Sequence, residues 1–117
     1  ARILAECPGF SVWSGNDDLT VPVMALGGCG VISVLSNVEP AKTKAMTEAA
    51  LDGDFDTAAS LQLELLPLIH ALFSEVNPIP VKAAMKLMGY DCGGCRLPLT
   101  DAKPETLKKL KKLLLAN

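Results

Sequence analysis

Two hydrophobic rhythms divide the sequence. Up to about residue 53 the apolar residues come in short β-rich blocks, Phe10, Val12 and Trp13, then Val31, Ile32 and Val34. Blocks of this kind, bounded by turn residues, suit strands that are covered on both faces inside a parallel sheet with helices outside. They predict strands over about Phe10–Ser14 and Gly30–Leu35. Between them Leu19–Leu26 reads as a short helix, in which Pro22 is tolerated in the first turn and which Gly27-Gly28 ends. Pro40 opens a further helix that Gly53 stops. At the amino terminus Ala1–Cys7 reads as the tail of a helix halted by Pro8-Gly9.

From Asp54 onward the period changes. Phe55, Ala58, Ala59, Leu65, Leu66, Ile69, Leu72, Phe73 and Val76 recur at three- and four-residue spacing and predict one wide apolar helix face. Pro67 within that run should kink the helix, because it removes a backbone hydrogen bond and crowds the preceding turn. Asn77-Pro-Ile-Pro80 forces a turn, since a residue before proline is pushed out of the α region. A helix follows from about Pro80 to Met88 and ends at Gly89. The last helix begins at Pro104-Glu105 and puts Leu107, Leu110 and Leu114 on one side.

The chemistry should gather where the strands end. In a parallel β/α sheet, sites form at the carboxyl ends of the strands, here Gly15-Asn16-Asp17-Asp18 and Ser36-Asn37. Half of the 117 residues are hydrophobic and 21% are charged, with a net charge of −2, so no basic face invites nucleic acid. No apolar run is long enough to span a membrane, and the start of the chain lacks a signal-peptide pattern. The expectation is a soluble, cytoplasmic protein.

Four cysteines leave that expectation unchanged. Cys92-Gly-Gly-Cys95 has the C-x-x-C spacing of redox and zinc sites. Zinc would need two further ligands, and the sequence has one histidine and no second C-x-x-C. A redox motif normally opens a helix, whereas this one sits in a glycine-rich loop, so it reads as a loop carrying two thiols that stay open in a reducing compartment.

Four motifs together carry a resemblance that none would carry alone: Ser14-Gly-Asn-Asp-Asp18, Leu26-Gly-Gly-Cys-Gly-Val-Ile-Ser-Val-Leu-Ser-Asn-Val38, Asn77-Pro-Ile-Pro-Val-Lys-Ala-Ala-Met-Lys-Leu-Met-Gly89 and Arg96-Leu-Pro-Leu99. In this order and spacing the chain resembles the last part of the 4-hydroxy-tetrahydrodipicolinate synthase (dihydrodipicolinate synthase) family, the pyruvate-dependent Schiff-base aldolases of lysine biosynthesis. The resemblance implies an α/β fold: the last two β/α units of a TIM (β/α)8 barrel plus a carboxyl-terminal three-helix appendix. Residues 1–53 would hold the end of helix six, strand seven, helix seven, strand eight and helix eight, and residues 54–117 the helical domain. A whole barrel takes about 250 residues, so the chain is read as a fragment lacking the first six β/α units.

The implied reaction is a lyase-class condensation. A lysine amine forms a Schiff base with pyruvate, the iminium nitrogen withdraws electrons so that the methyl group can lose a proton, and the enamine attacks L-aspartate 4-semialdehyde. The resemblance puts that lysine, and the tyrosine and threonine of the proton relay, ahead of this chain, so no catalytic residue is expected in it and the chain alone should be inactive. Within it, Ile32 matches the position whose main-chain carbonyl faces pyruvate. Gly15, Asn16 and Asp17 match the turn at the mouth through which the second substrate enters. Several family members carry aspartate where Asn16 stands. No cofactor or metal is implied. The implied partners are the missing amino-terminal part and further copies of the enzyme, which is tetrameric in the family, with no nucleic acid and no membrane.

Plainer readings stand beside these. Ile32 suits an ordinary core position, and Asn16 to Asp18 suit helix capping with acidic residues in the first turn. His70 suits a packed or surface histidine, and Lys108, Lys109, Lys111 and Lys112 suit a solvated helix face. N-acetylneuraminate lyase and related aldolases share the barrel and the Schiff base, but the combination of motifs favours the synthase. A non-catalytic module that only associates is the alternative from another class.

Overall fold

The computed structural model describes residues 1–115. After helix α1 (Arg2–Glu6) come strand β1 (Trp13–Ser14), helix α2 (Thr20–Ala25) and strand β2 (Gly30–Val31), then α3 (Pro40–Leu51), α4 (Phe55–Leu72), α5 (Ile79–Leu87) and α6 (Pro104–Leu114). Two single 3-10 turns, Asp17–Leu19 and Leu35–Asn37, follow the two strands. Every helix foreseen from the periodicity is present, with bounds shifted by a residue or two except at the end of α4, which stops at Leu72, four residues short of Val76.

β1 and β2 pair in parallel, Trp13 opposite Gly30 and Ser14 opposite Val31. The backbone bonds continue one step beyond the pair on each side, from Cys29 N to Val12 O at 2.7 Å and from Ile32 N to Ser14 O at 2.8 Å. Parallel neighbours need a crossover, and α2 supplies it. Its exit depends on glycine. Gly27 has φ +96°, and a Cβ on Gly28 would stand 2.6 Å from Val23 Cγ1 and 2.8 Å from the Val23 carbonyl oxygen, so only glycine allows the chain to turn this closely into β2.

The strands are shorter than the apolar blocks foresaw, and the blocks are not buried. Phe10 is 62%, Trp13 51% and Ile32 72% exposed. Each strand has a single partner among the described residues, so neither the outer backbone edge nor the side chains next to it are covered.

The chain divides into two compact units, Ala1–Leu66 and the segment from Pro67 onward. The division falls inside α4, further along than Gly53, which with φ +82° marks the turn from α3 into α4. In the first unit Leu35 and Met46 are fully enclosed, and Val21, Met24, Val38 and Ala50 complete the same buried set around α2 and α3. In the second, Leu68, Ile69, Leu72, Ile79, Ala84 and Leu110 are buried, with α5 packed on α6.

α4 keeps the helical rhythm read from its sequence, with Ala58, Leu65, Ile69 and Leu72 all buried. Phe73 and Val76, expected on the same face, are 38% and 65% exposed. They lie past the end of the helix, where the 3.6-residue spacing no longer fixes their direction. Asp54 caps the start: its Oδ1 accepts the Thr57 N–H at 3.0 Å. The Thr57 side chain, and then that N–H, hold the Asp54 carboxyl below the usual carboxylate range. The helix runs through Pro67 as one element. Leu63, whose carbonyl loses its partner to the proline, and Pro67 itself are both exposed, so water can satisfy that carbonyl.

Candidate functional site

The parallel register brings the two candidate turns together. With Ser14 opposite Val31, the next residues along, Gly15 and Ile32, leave the carboxyl ends of the two strands side by side. Gly15, Asn16 and Ile32 are exposed there, and Asp17 is 1% exposed. Ile32 is thus not a core side chain in this chain. Its N–H is held by Ser14 O, which fixes the backbone at this point.

Asp17 is the centre of the turn. Its Oδ1 accepts the Ser33 hydroxyl at 2.5 Å, and its Oδ2 accepts the N–H groups of Val34 at 2.9 Å and Leu35 at 3.1 Å. Its carbonyl oxygen accepts Thr20 Oγ1 at 2.9 Å and Gln62 Nε2 at 3.0 Å. The carboxylate therefore caps a turn, as acidic residues at helix starts do, but the turn is the one after β2, not the one Asp17 itself begins. Asn16 occupies the position preceding the first 3-10 turn without a side-chain capping bond. Its backbone is tied to Ser14 instead: Ser14 Oγ donates to Asn16 O at 2.7 Å, and Asn16 N donates to Ser14 Oγ at 3.2 Å.

Two participants were not foreseen from the sequence. Ser33 receives the Ser36 N–H on its Oγ at 2.8 Å while donating to Asp17, which locks the backbone after Ile32. Gln62, 6% exposed, also takes the Val21 N–H on Oε1 at 3.2 Å. Its amide thus joins α4 to both ends of the turn before α2. A signal for Gln62 was present: it occupies position i+4 after Ala58 and i−3 before Leu65, on the buried stripe of α4, where a polar side chain needs a partner.

A concavity of about 370 Å³ in this unit lies alongside the strands and is lined by Trp13, Gly30, Val31 and Ser33 among others. None of Gly15, Asn16, Asp17 and Ile32 lines it. Among the described residues, no three or more His, Cys, Asp or Glu side chains are placed to hold a metal ion. No helix among them is long and apolar enough to cross a membrane. His70 is exposed.

Comparison with known proteins gives one consistent result. The sequence model of the Dihydrodipicolinate synthetase family matches residues 2–117. The 4-hydroxy-tetrahydrodipicolinate synthase of Acetivibrio thermocellus is 54% identical over 114 residues, which are 97% of this chain and 39% of that protein. Among solved structures, dihydrodipicolinate synthase from Aquifex aeolicus superposes with a TM-score of 0.93 at 46% identity, covering 98% of this chain and 40% of that one. A structure described as the first monomeric dihydrodipicolinate synthase variant superposes with a TM-score of 0.89 at 42% identity, covering 96% of this chain and 37% of its own. The chain thus spans about two fifths of the length of the relatives it matches.

Proposed function

Because the chain belongs to the dihydrodipicolinate synthetase family, we propose that it supplies one wall of the pocket in which pyruvate condenses with L-aspartate 4-semialdehyde through a lysine Schiff base. In this reading residues 1–53 are the last two β/α units of a (β/α)8 barrel and residues 54–117 a helical appendix. The observation that carries it is the junction at the strand ends: Gly15 and Ile32 emerge together from a parallel pair, with Asp17 holding the following turn. That is the end of a β/α sheet at which sites form.

The roles are those the family resemblance implies, and the backbone bonds at the strand ends support them. The carbonyl of Ile32 faces bound pyruvate as a fixed acceptor, its position set by the bond from Ile32 N to Ser14 O before it and by the Asp17 clamp on Ser33–Leu35 after it. Gly15 and Asn16, exposed and without bulky cover, form the lip by which the aldehyde enters. Asp17, 1% exposed, holds that lip from beneath rather than lining it, its carboxylate being engaged in the clamp and its carbonyl in the bonds from Thr20 and Gln62. No residue of this chain forms the Schiff base. Lys42 pairs with Glu64 and Lys44 with Glu48, and Lys82 and Lys86 lie on α5. The relatives' names favour the synthase over N-acetylneuraminate lyase. The working form is a cytoplasmic homo-oligomer, tetrameric as the family resemblance implies, and needs no cofactor.

A trapping experiment tests this reading. Incubated with pyruvate and borohydride, the 117-residue chain should gain no mass, because the iminium that borohydride reduces requires a lysine it does not carry. A stoichiometric, pyruvate-dependent gain mapped to one of its own lysines would contradict the assignment.

A further inference from the structure

Cys92 and Cys95 lie between α5 and α6 in a segment that is neither helix nor strand. Both thiols are free, Cys92 exposed and Cys95 half-buried. Both line a concavity of about 500 Å³ whose charged side chains are Lys82 and Arg96, and Cys95 also lines a second one, shared with Lys82, Lys86, Asp91 and Asp101. Among the described residues two hydrogen bonds hold the stretch 91–95: Lys82 Nζ donates to Gly94 O at 2.8 Å, and Gly93 N donates to Asp91 Oδ1 at 3.0 Å. No backbone bond joins Cys92 to Cys95, so the pair is not pre-folded into a turn. The two intervening residues can make one. Gly93 already has φ +64°, and nothing stands within 4 Å of where a Cβ would be at Gly93 or Gly94, so the chain has both the conformational freedom and the space to bring the cysteines to the Cα separation of about 4.4–6.8 Å that a disulfide needs.

We propose that Cys92 and Cys95 are a thiol–disulfide exchange pair that takes an anionic, carboxylate-bearing low-molecular-weight disulfide. The order of events follows from exposure. The Cys92 thiolate attacks one sulfur of the incoming disulfide, forming a mixed disulfide and releasing one small thiolate. The Cys95 thiolate then attacks the Cys92 sulfur, closing the four-residue loop and releasing the second thiolate. The two protein thiols lose two electrons and two protons. The small disulfide gains both and leaves as two thiols. Lys82 and Arg96 draw the anionic disulfide to the concavity. At a reducing poise the pair is open, and it closes as the disulfide share of the small-thiol pool rises.

Glutathione disulfide is the probe. The full chain, reduced, is equilibrated with mixtures of glutathione and its disulfide, quenched in acid, alkylated and digested after lysine and arginine. The peptide 87–96, which contains both cysteines, should lose two hydrogens and escape alkylation as the disulfide share rises, and recover when reduced glutathione is restored. Cys95→Ser should instead accumulate one glutathione on Cys92, while Cys92→Ser should take up glutathione at Cys95 roughly tenfold more slowly, as its lower exposure dictates. Lys82→Gln should slow the reaction with glutathione disulfide by about threefold and leave that with neutral hydroxyethyl disulfide unchanged. The pair assignment is overturned if peptide 87–96 stays fully alkylated where Cys7 and Cys29 have reacted. It is equally overturned if two stable mixed disulfides form, or if the cysteines bridge separate chains. Equal slowing of both disulfides by Lys82→Gln overturns the anionic class of the substrate.

Discussion

Asp17→Ala should open the turn after β2 by about 3 kcal/mol, roughly a hundredfold in the local opening constant. The carboxylate is buried and accepts three donors, the Ser33 hydroxyl and the Val34 and Leu35 N–H groups. A methyl group satisfies none of them, and stranding buried donors costs more than a hydrogen bond ordinarily contributes. Asp17→Asn should cost much less, about 1 kcal/mol. Its amide oxygen can take the place of Oδ2 and accept both N–H groups. Its NH2 would face Ser33 Oγ, which must then accept rather than donate. Gln62→Ala removes the bonds to Asp17 O and Val21 N and falls between the two. Hydrogen exchange read by mass spectrometry over residues 33–36 measures the order, with α6 in the other compact unit as the unchanged internal reference. Equal protection in wild type and Asp17→Ala would remove Asp17 from its place as the clamp.

The chain by itself should not behave as a compact monomer. Among the described residues β1 and β2 pair only with each other, so each presents an open edge of backbone donors and acceptors. The residues flanking those edges are Phe10, Trp13 and Ile32, all more than half exposed, with none of the lysines or prolines that natural edges use against pairing. A two-stranded sheet is marginal alone. The helices of the second unit bury Leu68, Ile69, Leu72 and Leu110 among themselves and should keep their form. Light scattering on the purified chain at several concentrations should give masses well above 12.3 kDa that rise with concentration. A constant mass at that value, with cooperative unfolding, would show that the edges are protected.

Most of the architecture was legible because local rules decide it. Pro40, Gly53, Pro80, Gly89 and Pro104 punctuate helices wherever they stand, and the rhythm of Ala58, Leu65, Ile69 and Leu72 survives in the structure. The strands were overread for a physical reason. A β-rich block states what a residue would do between two neighbours and under helices; with one neighbour, Phe10 and Ile32 emerge exposed although their sequence context is that of a core. At the site, the turn residues Gly15 to Asp17 were identifiable from their place at a strand end. What Asp17 does was not, because its acceptors' partners lie 16 to 18 residues further on, and no local pattern links an aspartate to amides at that distance. Gln62 was readable in principle as a polar residue on a buried stripe, but its partners, 41 and 45 residues away, required the fold.

Recombination tests most directly whether this chain is a wall of the condensation pocket. The chain is co-refolded with the amino-terminal segment of the Acetivibrio thermocellus synthase that precedes the region it matches, and the condensation of pyruvate with L-aspartate 4-semialdehyde is followed. Neither piece alone should turn over, and the mixture should gain activity in proportion to the complex formed, with the borohydride-trapped pyruvate on the amino-terminal piece. A complex that forms in good yield and shows no condensation, or two pieces that fail to associate at all, would contradict it.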